Sequence, residues 1–191
     1  MANTKNSNYK FAKSVFFGFY LFLICFFLAN LEIQIEGPNG WASKLPTWRV
    51  TDPHWTWIFG GRPITGYHVF LNLLLLSFFH FPLLFTSFSL AKEIKIIYSF
   101  SIIAVIWDFQ WFVLNPYYGI SNYKKENIWW FKNWIFGFPA DYFFGIIVSF
   151  IIFLLPILFK KENFKNRSIE WAIITFTLIF CTSILVLLKV L

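Results

Sequence analysis

The chain has 191 residues, of which 58% are hydrophobic, 24% aromatic and only 13% charged. A soluble domain carries about 25% charged residues, so this composition excludes an ordinary soluble globular protein. The net charge of +7 comes from Lys and Arg residues in short flanks beside apolar runs, which favours membrane lipids with anionic head groups as partners and argues against nucleic acid.

Five apolar runs are long enough to cross a bilayer as helices, for which about 20 residues are needed. The first run follows lysines and lacks a small-x-small cleavage pattern, so we expect a retained anchor; if it were a cleaved signal peptide, four spans would remain. We therefore predict an all-α fold: a multi-pass integral membrane helical bundle that forms one domain over residues 1–191. The predicted spans are 15–31, 69–91, 96–114, 142–159 and 171–188.

The distribution of basic residues predicts the orientation of this bundle. Nine of the 16 Lys and Arg residues lie in the amino terminus and in the turns 92–95 and 160–168. Because cytoplasmic loops are enriched in Lys and Arg, we expect the amino terminus to be cytoplasmic, in a bacterial plasma membrane.

The loops 32–66 and 115–141 are then extracytoplasmic, and they are rich in aromatic residues typical of a membrane interface. Within the second of these loops, the apolar stretch 127–138 has the spacing of a short interfacial or re-entrant helix. Seven tryptophans fall in the two loops: Trp41, Trp48, Trp55, Trp57, Trp129, Trp130 and Trp134.

Asp108 is the most informative residue because it lies inside the third predicted span. A charged side chain there costs at least about 2.5–3.5 kcal/mol unless it is paired or hydrated. At 1.5 Å per residue it lies about 9 Å below the outer end of the helix, on one face with Asn115. The second helix brings His68, and Asn72 one turn deeper, to about the same level. We expect His68 to pair with Asp108.

Glu32 and Glu36 reach the same membrane face just after the first span. Their i, i+4 spacing puts them on one side of a helix, and the alternating run around them would also put them on one side of a strand. Repulsion between two adjacent carboxylates favours a cation between them, which is either a metal ion or an arginine such as Arg49.

These residues support a hydrolase or transferase acting on lipid-like substrates at the extracytoplasmic face. Asp108, His68 and Glu36 would be catalytic, Glu32 would join them in holding a divalent metal ion, and Arg49, Asn72 and Asn115 would bind substrate. The alternatives are a structural or partner-binding subunit, in which Asp108 forms a buried salt bridge with Arg49 or Arg62, and a small transporter.

Overall fold

The structure is a computed structural model that describes residues 2–56, 60–160 and 163–190. Trp57, Lys161 and Glu162, which belong to the predicted aromatic loop and basic turn, lie outside these residues. The helices are α1 (Ala2–Glu36), α2 (Pro53–Thr56), α3 (Gly66–His80), α4 (Leu90–Leu114), α5 (Ala140–Leu154), α6 (Pro156–Lys160) and α7 (Phe164–Val190), with 3-10 helices at Phe81–Phe85 and Ile120–Asn122. The strands are β1 (Arg49–Val50), β2 (Ile64–Thr65), β3 (Trp134–Ile135) and β4 (Phe138–Pro139).

The part of the chain that the structure describes contains five helical segments long and apolar enough to cross a membrane. The prediction of a mostly helical chain with five such segments is therefore confirmed, and the architecture is compatible with a multi-pass membrane protein. The segments are Ser7–Glu36, Gly66–Phe85, Leu90–Leu114, Ala140–Phe159 and Phe164–Lys189.

The turn between the second and third segments lies earlier than predicted. The second segment ends in the 3-10 helix Phe81–Phe85, which contains Pro82. Ser89 then caps α4, since its Oγ accepts a hydrogen bond from the Lys92 backbone N–H at 3.3 Å. Helices begin where such a side chain satisfies their first free N–H groups, so residues 92–95 belong to α4 and the prediction of a turn there was wrong.

Helix α4 lies at the centre of the bundle and packs against α1, α5 and α7. Its residues Tyr98, Ile102 and Phe112 are completely buried. Helix α1 approaches it closely, and the Cys25 thiol contacts the Ile103 carbonyl at 3.8 Å. Helix α3 lies at the periphery and contributes only Gly66 and Leu75 to the buried set.

The two long loops pack onto the end of the bundle. The ring of Trp130 stacks on that of Phe112 at 5.6 Å, and both side chains are buried. Gly40 comes so close to this tryptophan that an added Cβ would lie 2.2 Å from it. Strands β1 and β2 pair antiparallel across the first loop, with Arg49 opposite Thr65.

The stretch 127–138 does not form the predicted interfacial helix. Its second half is a β-hairpin in which β3 and β4 pair through Trp134 and Pro139. The two turn residues, Phe136 and Gly137, have φ values of 50° and 80°. Positive φ at both positions is typical of the two-residue turns that match the twist of a hairpin, so the helical spacing of its apolar residues was coincidental.

Candidate functional site

Carboxylates and an imidazole from four helices meet at one end of the bundle, which we call the loop end. It is formed by the carboxyl ends of α1 and α4 and the amino ends of α3 and α5. Helix α1 contributes Glu32 and Glu36, α3 contributes His68, α4 contributes Asp108 and α5 contributes Asp141. The structure therefore brings together at the loop end four residues that the sequence assigned to one face, namely Glu32, Glu36, His68 and Asp108.

Glu32, Glu36 and His68 form a compact cluster, which we call the ligand cluster. One donor atom from each side chain lies within 4.8 Å of the other two, and His68 Nε2 is 3.9 Å from Glu32 Oε1 and 3.8 Å from Glu36 Oε1. Zinc binds imidazole nitrogen and carboxylate oxygen at about 2.0–2.2 Å, so donors on one ion lie no more than about 4.4 Å apart. The cluster could hold a divalent ion after a small adjustment.

The end of α1 fixes the two glutamates. The helix continues to Glu36, so the glutamates share a face at i, i+4 and the alternative of a strand is excluded. Gly37 ends the helix with a φ of 60° and returns its N–H to the Ile33 carbonyl at 2.9 Å, the usual left-handed end of a helix. The Glu36 carboxylate then accepts the Ala42 backbone N–H, which folds the chain back over the site.

The start of α3 fixes the imidazole. Thr65 is the N-cap of α3, and its Oγ1 accepts the His68 backbone N–H at 3.2 Å. The same oxygen lies 2.6 Å from His68 Nδ1. One ring nitrogen is thus held by a completely buried hydroxyl while Nε2 faces the glutamates. Metal-bound histidines commonly have this arrangement, in which a second group orients the ring.

Two hydrogen-bond donors lie beside the ligand cluster. The Tyr67 hydroxyl and the Trp107 indole N–H both interact with Glu32, but neither forms a hydrogen bond of normal geometry with any described residue. Trp107 is only 6% exposed. Both donors therefore lie close enough to Glu32 to stabilise its carboxylate.

The predicted direct pair between His68 and Asp108 is wrong. Within the described residues no hydrogen bond or ion pair joins them, because His68 points towards α1 whereas Asp108 points towards α5. The Asp108 carboxylate accepts a hydrogen bond from the Tyr142 hydroxyl. The sequence predicted that Asp108 needs a partner, but it contained no signal that the partner is a tyrosine from the fourth apolar segment.

Arg62 is the cation of the site, a role that the sequence gave first to Arg49. Its Nη2 lies 2.6 Å from Asp141 Oδ2, and its guanidinium is 4.5 Å from the centre of the Trp41 ring and 4.7 Å from that of Phe131. Its charge also acts on Asp108. Two glycines with positive φ, Gly60 and Gly61, immediately precede it in the chain.

Arg49 lies outside the site. Its guanidinium donates to the backbone carbonyls of Ala42 at 2.5 Å, Thr47 at 2.9 Å and Leu45 at 3.1 Å. These bonds hold the first loop in shape, and the residue is not among those that line the site cavity. The guanidinium of Arg49 stabilises the loop through these three carbonyls, so the structure gives no support to its predicted role in substrate binding.

The two asparagines differ in position. Asn72 lines the site cavity and donates to the His68 carbonyl at 2.7 Å, one turn from the ligand cluster. Asn115 is buried away from the cavity; it donates to the Gly37 carbonyl at 2.9 Å and accepts from the Tyr117 N–H at 3.0 Å. Because these bonds tie the end of α4 to the end of α1, Asn115 is a structural link.

The other two histidines are not part of the site. His54 lies at the surface, where its backbone N–H and ring nitrogen hydrogen-bond to Asp52 and lower the pKa of that carboxyl below its usual value. His80 lies at the opposite end of α3, with Nδ1 2.7 Å from the Leu76 carbonyl and Nε2 2.9 Å from Glu93 Oε1. It thus ties α3 to α4.

A cleft of about 600 Å³ opens between α3, α4 and α5. This volume is within the range of pockets that hold small molecules. Glu32, His68, Arg62, Asp108 and Asp141 all line its loop end, and Glu36 adds a further carboxylate beside His68. Carboxylates outnumber cations there, so the electrostatics favour a bound cation.

Comparison of the chain with protein-family models, with curated proteins and with solved structures finds no match.

Proposed function

We propose that this protein is a multi-pass membrane protein with a metal-dependent hydrolase or transferase site at its extracytoplasmic face, acting on lipid-like substrates. The single observation that carries the proposal is the ligand cluster: three buried or half-buried side chains from two helices, with donor atoms within 4.8 Å of one another.

Membrane insertion is supported by the outward faces of the helices. Large apolar side chains project from α3, α5 and α7 without protein around them, and they include Phe70, Leu74, Phe78, Phe144, Ile151, Phe176 and Leu187. In water such a surface would be an aggregation site, whereas in a bilayer it contacts lipid tails. The basic residues at the end opposite the loop end support a cytoplasmic amino terminus.

The chemistry follows from the donor set. Glu32, Glu36 and His68 would hold a divalent ion, whose charge the two carboxylates would balance. The ion, when bound, would activate a water or a substrate hydroxyl for attack on an ester carbonyl or phosphoryl centre. Asp108 would accept the proton that this nucleophile loses and would return it to the leaving oxygen as the bond to that oxygen breaks.

A structural role is the second candidate, and a specific observation favours it. Asp108 and Asp141 already have partners in Tyr142 and Arg62, as expected if the charges only hold the loop end together.

The test is the metal content of the detergent-purified protein, measured by elemental mass spectrometry. We expect near-stoichiometric zinc, manganese or iron in the unaltered chain, strong loss in Glu36→Gln and in His68→Gln, and no loss in Glu126→Gln, which removes an exposed carboxylate from a loop. Absence of metal after dialysis against each of these ions in turn would reject the metal site and leave the structural candidate.

A further inference from the structure

The cleft continues well below the ligand cluster towards the middle of the bundle. On α3 its wall runs from His68 to Leu76, and on α4 from Asp108 to Phe100. Each stretch contains nine residues, so its ends are eight helical rises, or about 12 Å, apart. The two helices run in opposite directions, so both walls extend from the loop end to the same depth.

The character of the cleft changes along this length. Its charged groups are confined to the loop end, while the deeper part is lined by Leu73, Leu76, Phe100, Ala104 and one hydroxyl, that of Ser101. Ala104 has a small side chain and is exposed. A groove that is acidic at one end and mostly apolar over the rest matches an amphiphile.

The wall formed by α3 is loosely attached. Only two of its residues are buried, and it is held mainly at its ends, by the β1–β2 pair and by the contact of His80 with Glu93. Large side chains such as Leu74 and Phe78 point away from the bundle on its outer face. A cleft behind such a helix is open at the side of the bundle, where the bilayer would lie.

Resting on the function proposed above, we propose that one hydrocarbon chain of the substrate lies in the cleft between α3 and α4, with its polar head at the ligand cluster. The occupant is a membrane lipid that reaches the site from within the bilayer. Trp107 and His68 line the cleft beside the position of its head group, and the apolar walls exclude water from the chain.

The test uses the full-length protein in vesicles of phosphatidylethanolamine and phosphatidylglycerol whose acyl chains carry a mid-chain diazirine. After illumination, labelled peptides are quantified by mass spectrometry. We expect labelling of Phe100 and Ala104 in the unaltered chain. Ala104→Trp fills the groove from the α4 side, so it should reduce labelling at Phe100 by about fivefold or more.

Leu74→Trp is the matched control, because it adds the same side chain on the outer face of α3 and should leave labelling at Phe100 unchanged. Leu76→Trp narrows the groove from the opposite wall and should act like Ala104→Trp, so the test does not depend on one variant folding. Equal labelling at Phe100 in all folded variants, as judged by size-exclusion profiles, would overturn the proposal.

Metal content measured on the same samples separates this inference from the proposed function. Ala104→Trp should keep its metal while losing the label, and Glu36→Gln should lose metal while keeping the label. A chain that binds no metal but loses the label in Ala104→Trp has a lipid site without the proposed metal chemistry. A chain that binds metal but never labels at Phe100 has the metal site without the proposed chain groove.

Discussion

Tyr142 and Asp108 offer a direct way to separate structure from chemistry at the loop end. Tyr142→Phe removes the hydroxyl that donates to Asp108 but keeps the ring, which packs against Phe109 and Phe131. Asp108→Asn keeps an oxygen that can accept the same hydrogen bond and removes the negative charge. The two variants therefore change different parts of one contact.

The contact sets the expected magnitudes. A hydrogen bond to a charged group contributes about 1.5–3 kcal/mol, and each kcal/mol shifts Tm by about 2–4 °C in a chain of this size. Tyr142→Phe should therefore lower Tm by about 3–12 °C. Asp108→Asn should leave Tm unchanged or raise it, because it removes a charge whose placement inside a span costs at least about 2.5 kcal/mol.

The assay is thermal unfolding in detergent, followed by a thiol-reactive dye at Cys25 in a Cys181→Ser background. Cys25 is completely buried, so it reacts when the bundle opens. Tyr117→Phe, at an exposed tyrosine, is the control and should change nothing. If Asp108→Asn lowers Tm as much as Tyr142→Phe does, the charge of Asp108 is itself stabilising and the argument from the hydrogen bond is refuted.

Two further predictions concern packing. The Gln110 amide donates to the Thr182 hydroxyl at 2.8 Å in the core, while its own carbonyl oxygen is unpaired. Thr182→Val leaves the amide without an acceptor and should lower the free energy of unfolding by about 1–3 kcal/mol, whereas Gln110→Leu removes the amide and should be close to neutral. Chemical denaturation that ranks the two variants in the opposite order would contradict this. A Cβ on Gly66 would lie 2.5 Å from Trp48 Nε1, so Gly66→Ala should lower the free energy of unfolding by about 1–3 kcal/mol. The variant should also displace His68 and reduce the metal content, which elemental analysis would measure.

The five apolar segments were predictable because a helix that crosses a bilayer must be long and apolar throughout. Their ends were less predictable, since they depend on single side chains. Ser89 starts α4 six residues before the predicted span, and Gly137 turns a stretch with helical spacing into a hairpin. Caps and turns act through one or two residues, whereas hydropathy averages over about 20.

The candidate site was predictable only in part. The level of Glu32, Glu36, His68 and Asp108 along their helices followed from the spans, because the position of a residue along a helix fixes its depth. Their partners did not follow, because these contacts depend on how the helices rotate and how the loops fold. Arg62 rather than Arg49 reaches the site for this reason. In the folded loop, the carbonyls of Ala42, Leu45 and Thr47 bind the Arg49 guanidinium and hold it outside the site.

The contacts of the loop end also imply an order of assembly. Arg62 and Asp141 are 79 residues apart in the chain, and Asp108 and Tyr142 are 34 apart. Loop closure over such separations comes late, after the helices have formed and associated. Asp108 and Arg62 therefore gain these two partners only when α5 joins the bundle. In a truncated chain that ends before α5, the Asp108 carboxylate would lack the Tyr142 hydroxyl and the Arg62 guanidinium would lack the Asp141 carboxylate.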